Sequence, residues 1–192
     1  QLVAGGVAEA ATVSQISFFV NDFDTETSGV DVVANYPINW DNSSTKFTLA
    51  VNYTDTKVTN RGETVSDARA REVEDALPDY RTTFTVDHNF EPFNALIRVN
   101  YYGEVYESLF NDETLPVVTP SMFIVDAELA YDINENMSVA IGAKNLFDEF
   151  PDEWETAGFT GRDGVFLGAI YPLNHPAGLG GGSYYLRLSA NF

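Results

Sequence analysis

The stretch SYYLRLSANF, Ser183 to Phe192, alternates without a break. Tyr184, Leu186, Leu188, Ala190 and Phe192 fall on one side; Ser183, Tyr185, Arg187, Ser189 and Asn191 fall on the other. Successive side chains of a strand point to opposite faces, so the pattern predicts a strand with one apolar face that finishes on an aromatic.

The same period recurs along the chain. YRTTFTVDHNF (80–90) sets Tyr80, Phe84, Val86, His88 and Phe90 against Arg81, Thr83, Thr85, Asp87 and Asn89. FIVDAELAYDI (123–133) opposes Val125, Leu129 and Tyr131 to Asp126 and Glu128. MSVAIGAKNLF (137–147) opposes Val139 and Ile141 to Ser138 and Lys144. NALIRVNYYGEVYE (94–107) and TKFTLAVNYTDTK (45–57) behave alike, with Arg98 and Lys46 on their polar sides. Residues 16–38 read as one long strand or two short ones, with Gly29 at a natural bulge position. This predicts an all-β chain of about seven antiparallel strands.

The connections alternate in length. INWDNSS (38–44), EP (91–92) and NEN (134–136) are short, whereas 58–79, 108–121 and 148–182 are long. Tight turns at one end and large loops at the other, joined by strands of about ten residues, predict an up-and-down transmembrane β-barrel. Aromatics near strand ends (Tyr36, Tyr53, Tyr80, Phe90, Phe93, Tyr131, Tyr184) suit an interfacial girdle. A soluble β-sandwich also alternates; it would enclose the apolar set, whereas a barrel turns Phe84, Val86, Val125, Leu129, Val139, Ile141, Leu186 and Leu188 to lipid and Arg81, Asp87, Arg98, Asp126, Glu128, Lys144 and Arg187 to the lumen.

Composition narrows the function. The chain of 192 residues carries 29 acidic against 10 basic side chains, a net charge of −19, which disfavours nucleic acid because phosphates are repelled. Without cysteine there is no disulfide framework or thiol chemistry. The opening QLVAGGVAEAATVSQ lacks the basic and long apolar regions of a signal peptide, and Gln1 reads as a start inside a longer protein.

Residues 139–152, VAIGAKNLFDEFPD, closely resemble the end of TonB-dependent receptors, where a penultimate strand runs into Asn-Leu-Phe-Asp, here Asn145 to Asp148. A long loop and a last strand ending in an aromatic follow in that family. Ser28 to Asp31 is similar to the family's Gly-Val-Glu strand with Asp for Glu, and 171–187 to its closing loop. The resemblance implies an outer-membrane active transporter of a Gram-negative bacterium. It implies a lipid-facing wall, a plug in the lumen, long outer loops that capture a siderophore, vitamin or oligosaccharide, and TonB as the energy-coupling partner. It also makes Tyr184, Leu186, Leu188 and Phe192 the signal for the outer-membrane assembly machinery. The family barrel has 22 strands, so residues 1–192 are expected to be its C-terminal part, with the plug and earlier strands outside this sequence. The last strand is then expected to pair with 137–147 on one side and with a missing strand on the other. A small stand-alone outer-membrane barrel, adhesive or enzymatic, would instead close between 183–192 and 16–38.

Other motifs weigh less. NDFDTETSG (21–29) has alternating oxygen ligands ahead of Gly but no Glu at the twelfth position of a calcium loop, so a polar strand is the plainer reading. DEFPDEWE (148–155) is acidic, and its plain reading is a solvated outer loop. Asp152, Glu153, Trp154, Arg162 and His175 are the ligand-contact candidates in the outer loops. His88 and His175 lack ligand spacing, and no nucleophile elbow or phosphate loop occurs, so no metal, cofactor or catalytic residue is assigned and no enzyme is expected. SDARAREVEDAL (66–77) predicts an exposed helix within a loop, capped by Ser66 and stopped by Pro78.

Overall fold

The computed structural model describes residues 21–108, 116–153, 171–172 and 175–191. Trp154, Arg162 and Phe192 lie outside the described residues, as does the start of the 16–38 segment. The described elements run β1 (Asp24–Asn39), β2 (Ser44–Thr59), α1 (Asp67–Asp75), β3 (Tyr80–Phe90), β4 (Phe93–Tyr102), β5 (Val105–Ser108), β6 (Pro116–Thr119), β7 (Met122–Asn134), β8 (Met137–Lys144) and β9 (Ser183–Ala190).

Seven strands form one antiparallel sheet in the order β1-β2-β3-β4-β7-β8-β9, and β5 and β6 form a separate hairpin. The sheet is open: β1 and β9 are its two edges, so the ring closure within the chain that a small barrel requires is not made among the described residues. Directly opposed residues of antiparallel neighbours share a face. One row therefore crosses six strands through Thr45, His88, Ala95, Leu129, Ile141 and Leu186.

This apolar face has no second layer over it among the described residues. Ile141 is 62% exposed, Leu186 68% and Leu188 71%. A sandwich would bury these side chains against a second sheet, so the sandwich alternative fails. Aromatic pairs mark both margins of the same face. At the loop end Tyr53 meets Tyr80 at 4.8 Å and Tyr101 meets Phe123 at 5.0 Å between ring centroids. At the turn end Phe90, Phe93 and Tyr131 form a chain at 5.4 and 5.1 Å. Ten residues separate Tyr80 from Phe90. At about 3.3 Å per residue and a tilt of roughly 40°, the bands lie about 25 Å apart, the height of an outer-membrane apolar belt.

Several boundaries differ from those the sequence suggested. Gly29 is not a bulge: it sits in regular register opposite Thr54. A Cβ there would meet the Tyr53 carbonyl oxygen at 2.5 Å, so the glycine serves a close backbone approach. Residues 94–107 are two strands, not one. Gly103 donates to the Tyr80 carbonyl at 2.9 Å, β3 has no residues beyond Tyr80 left to pair, and the chain peels away to pair with β6. The strand 137–147 stops at Lys144, because Asn145 takes a left-handed φ of 49°.

The helix forms where expected. Ser66 accepts from the Arg69 N–H at 3.1 Å as N-cap, and Pro78 follows its end. Exposure is only partial, because Ala68 and Ala70 are buried as α1 docks on β2 and on the β5–β6 hairpin. Arg71 lies 4.1 Å over the Tyr106 ring, and Glu74 accepts from the Val58 N–H at 2.8 Å.

Candidate functional site

The polar face is a hydrogen-bonded surface. Arg81, Asp87, Arg98, Asp126, Glu128, Lys144 and Arg187 all share it by register. Most of its carboxylates are held by neutral donors of neighbouring strands. Asn52 donates to Asp31 at 2.8 Å, and Asn94 to Asp87 at 2.7 Å. Asp126 accepts from Asn100 at 3.2 Å and from the Asn145 backbone N–H at 3.0 Å. Glu128 accepts the Tyr185 hydroxyl at 2.6 Å and Arg187 at 2.7 Å. The Tyr185 ring lies over Gly142, where an added Cβ would meet its Cζ at 2.3 Å.

The Asn-Leu-Phe-Asp motif is the joint between β8 and β9. Asn145 closes a clamp on the next turn: its Nδ2 donates to the Glu149 carbonyl at 2.7 Å and its Oδ1 accepts the Glu149 N–H at 3.0 Å. Asp148, at φ 58°, accepts the Gly182 N–H at 2.6 Å. Leu146 donates to the Val125 carbonyl at 2.7 Å, which ties the joint to β7. Asn tolerates the left-handed region better than most side chains and bonds to nearby backbone, which is why the motif needs that residue there.

At the loop end of the polar face, two groups meet Tyr102. Arg81 places its guanidinium 5.2 Å over the ring, and His175 meets it edge-on at 6.2 Å. His175 is buried at 6% exposure, and its Nδ1 accepts the Ala177 N–H at 3.2 Å. Its Nε2 has no hydrogen-bond partner among the described residues. Burial holds the imidazole below its usual pKa. Of the outer-loop ligand candidates, Asp152 and Glu153 are exposed, and His175 lies against Tyr102 of β4. Tyr102 was not singled out from sequence; its parity with Arg98 and Asn100 was the available signal.

The acidic stretch at 21–29 pins a loop. Asp24 accepts from Asn60 at 2.8 Å, Thr64 donates to Asp22, and the Gly62 N–H donates to the Asp22 carbonyl at 2.7 Å. No group of three or more metal-ligating side chains stands together among the described residues. His88 belongs to a turn-end network on the apolar face, in which Thr45 Oγ1 lies 2.9 Å from His88 Nδ1 and accepts from Trp40 Nε1 at 3.0 Å.

With these features in place, the comparison with known families is direct. The family described as TonB dependent receptor-like, beta-barrel matches residues 3–146. The chain belongs to this family of outer-membrane receptors, a transport family and not an enzymatic one. None of the curated proteins matches it. No described helix is long and apolar enough to cross a membrane, which says nothing of a β-barrel, a fold that crosses with strands.

Proposed function

We propose that residues 1–192 form the C-terminal part of the barrel of a TonB-energised active transporter. The apolar face meets outer-membrane lipid. The polar face, with Arg81, Asp87, Arg98, Asp126, Glu128, Lys144 and Arg187, lines a lumen that holds the plug. The long loops, including Asp152, Glu153, Trp154, Arg162 and His175, capture the ligand outside the cell, a siderophore, vitamin or oligosaccharide. Earlier strands and the plug are supplied by the same receptor, and its N-terminal part carries the contact with TonB. Tyr184, Leu186, Leu188 and Phe192 present the assembly machinery with its signal.

The observation that carries this reading is the open seven-stranded sheet with an uncovered apolar face between two aromatic bands. Unpaired edges are not tolerated in lipid, so β1 and β9 need neighbouring strands to complete the wall. The test is uptake. Cells carrying the whole receptor should take up its ligand only with a working TonB and an inner-membrane proton gradient. Equal uptake without TonB would overturn the reading.

A further inference from the structure

We propose that Trp40, Thr45 and His88 form a headgroup site for a zwitterionic aminophospholipid, with Asp41 and Glu91 as its acidic rim, at the turn end of the apolar face. The proposal rests on the reading of that face as the lipid-facing wall.

The site begins with a buried hydroxyl. Thr45 is 8% exposed, in a row whose Leu129, Ile141 and Leu186 stand open. Its Oγ1 accepts the Trp40 indole N–H at 3.0 Å and lies 2.9 Å from His88 Nδ1. A hydroxyl carries one proton, and His88 is the acceptor that Thr45 meets among the described residues. A buried O–H left unpaired is costly, so it donates to Nδ1, and the neutral ring then keeps its proton on Nε2. Nε2 has no partner among the described residues, and His88 is only half-buried. With Nδ1 turned to Thr45 of β2, Nε2 points away from β2. On β4 the residue opposite His88 is Ala95, whose single methyl leaves the face low beside the ring. His88 also stacks on Phe90 at 5.2 Å, which holds the ring against the turn-end aromatic band.

Charge selects the occupant. Lys46 is the one lysine or arginine at the turn end among the described residues, and it lies on the polar face opposite Asp87. The two turns beside the network carry Asp41 and Glu91 instead, both exposed and neither in a hydrogen bond or ion pair among the described residues. From the belt outward the protein therefore presents apolar side chains, then an N–H donor, then carboxylates. An aminophospholipid presents acyl chains, then a phosphate, then a primary ammonium, in the same order. A phosphoglycerol head brings the phosphate without the cation and is repelled by the carboxylates, and a phosphocholine head brings a cation without N–H donors.

The experiment uses the whole receptor, stripped of lipid in detergent and titrated separately with phosphatidylethanolamine, phosphatidylglycerol and phosphatidylcholine of the same acyl chains. Native mass spectrometry counts bound lipid at each concentration. Phosphatidylethanolamine should fill a saturable site about tenfold or more tightly than either of the others. Asp41→Asn combined with Glu91→Gln should erase its preference over phosphatidylglycerol. His88→Phe keeps a ring on Phe90 but removes both nitrogens, and should weaken phosphatidylethanolamine about tenfold. His88→Gln, which keeps an acceptor for Thr45 and an N–H donor, should weaken it less. Heat-modifiable gel mobility verifies that each variant is folded. The carboxylate pair has no partners to lose, so its variant decides even where His88→Phe does not fold. Equal binding of the three lipids, an unchanged preference in the folded carboxylate variant, or unchanged affinity in folded His88→Phe would overturn the proposal. If Ile141→Arg still costs more than Ser138→Arg alongside such a failure, the lipid-facing reading stands and only the headgroup site is removed.

Discussion

The carboxylate of Asp148 accepts the backbone N–H of Gly182 at 2.6 Å, so residues 34 positions apart fix where the last strand begins. Gly182 cannot carry a side chain there, because a Cβ would stand 2.9 Å from the Asn145 carbonyl oxygen. The two ends of the 148–182 loop are thereby tied by one charge-assisted bond and one glycine.

Asp148→Ala removes that acceptor. The whole receptor should lose about 1–3 kcal/mol against chemical unfolding in detergent, while Asp148→Asn, which keeps an acceptor, should lose less. Asn145→Ala should behave like Asp148→Ala, since it frees both Glu149 groups. Equal stability of Asp148→Ala and wild type would remove the joint from the account.

Gly142 and Tyr185 should be coupled. Gly142→Ala drives a methyl into the Tyr185 ring and displaces its hydroxyl from Glu128, costing roughly 1–3 kcal/mol. In a Tyr185→Ser background the methyl has room, so the same change should cost far less. A double-mutant cycle measures the difference, and strict additivity would refute the contact.

Facing is tested by charge. Ile141→Arg or Leu186→Arg places a cation on the apolar face and should cost roughly 2–4 kcal/mol near mid-bilayer. Ser138→Arg, on the polar face of the same strand as Ile141, should cost much less. Refolding yield into lipid vesicles reads the ranking, and the reverse ranking would mean that the apolar face does not meet lipid.

Topology is tested by protease. On intact cells, nicks should fall in 58–79, 108–121 and 148–182, and not at Asn134 to Asn136, the tight turn closed by an Asn136 N–H to Asn134 Oδ1 bond of 2.9 Å. Cleavage confined to that turn would invert the orientation.

His175 sets a pH dependence. Its folded pKa is depressed, so the open loop binds more protons than the packed one as pH falls below about 6.5. The loop packing is thus complete above the unfolded pKa and is lost as pH falls, because protonated Nδ1 can no longer accept the Ala177 N–H. Exchange of the Ala177 amide, corrected for intrinsic rate, should quicken from pH 7 to pH 5, and in His175→Gln that pH dependence should vanish.

Much of this was legible from the residues. Alternation is a local property of the backbone, so the two faces, the six sheet strands between 45 and 190, and the helix with its Ser66 cap are legible in the residues alone. The terminal stretch and Asn145 to Asp148 were enough to suggest the family. Pairing is not local. Nothing in NALIRVNYYGEVYE says that its neighbour runs out at Tyr80, so the break at Gly103 appears only when β3 and β4 are laid side by side. Gly29 reads as a bulge until Tyr53 O is seen 2.5 Å from where its Cβ would be. The meeting of Tyr102 with His175 joins β4 to a distant segment, and the buried nitrogen of His175, without a partner among the described residues, follows from how a loop folds back on β4, a long-range packing that period and composition do not encode.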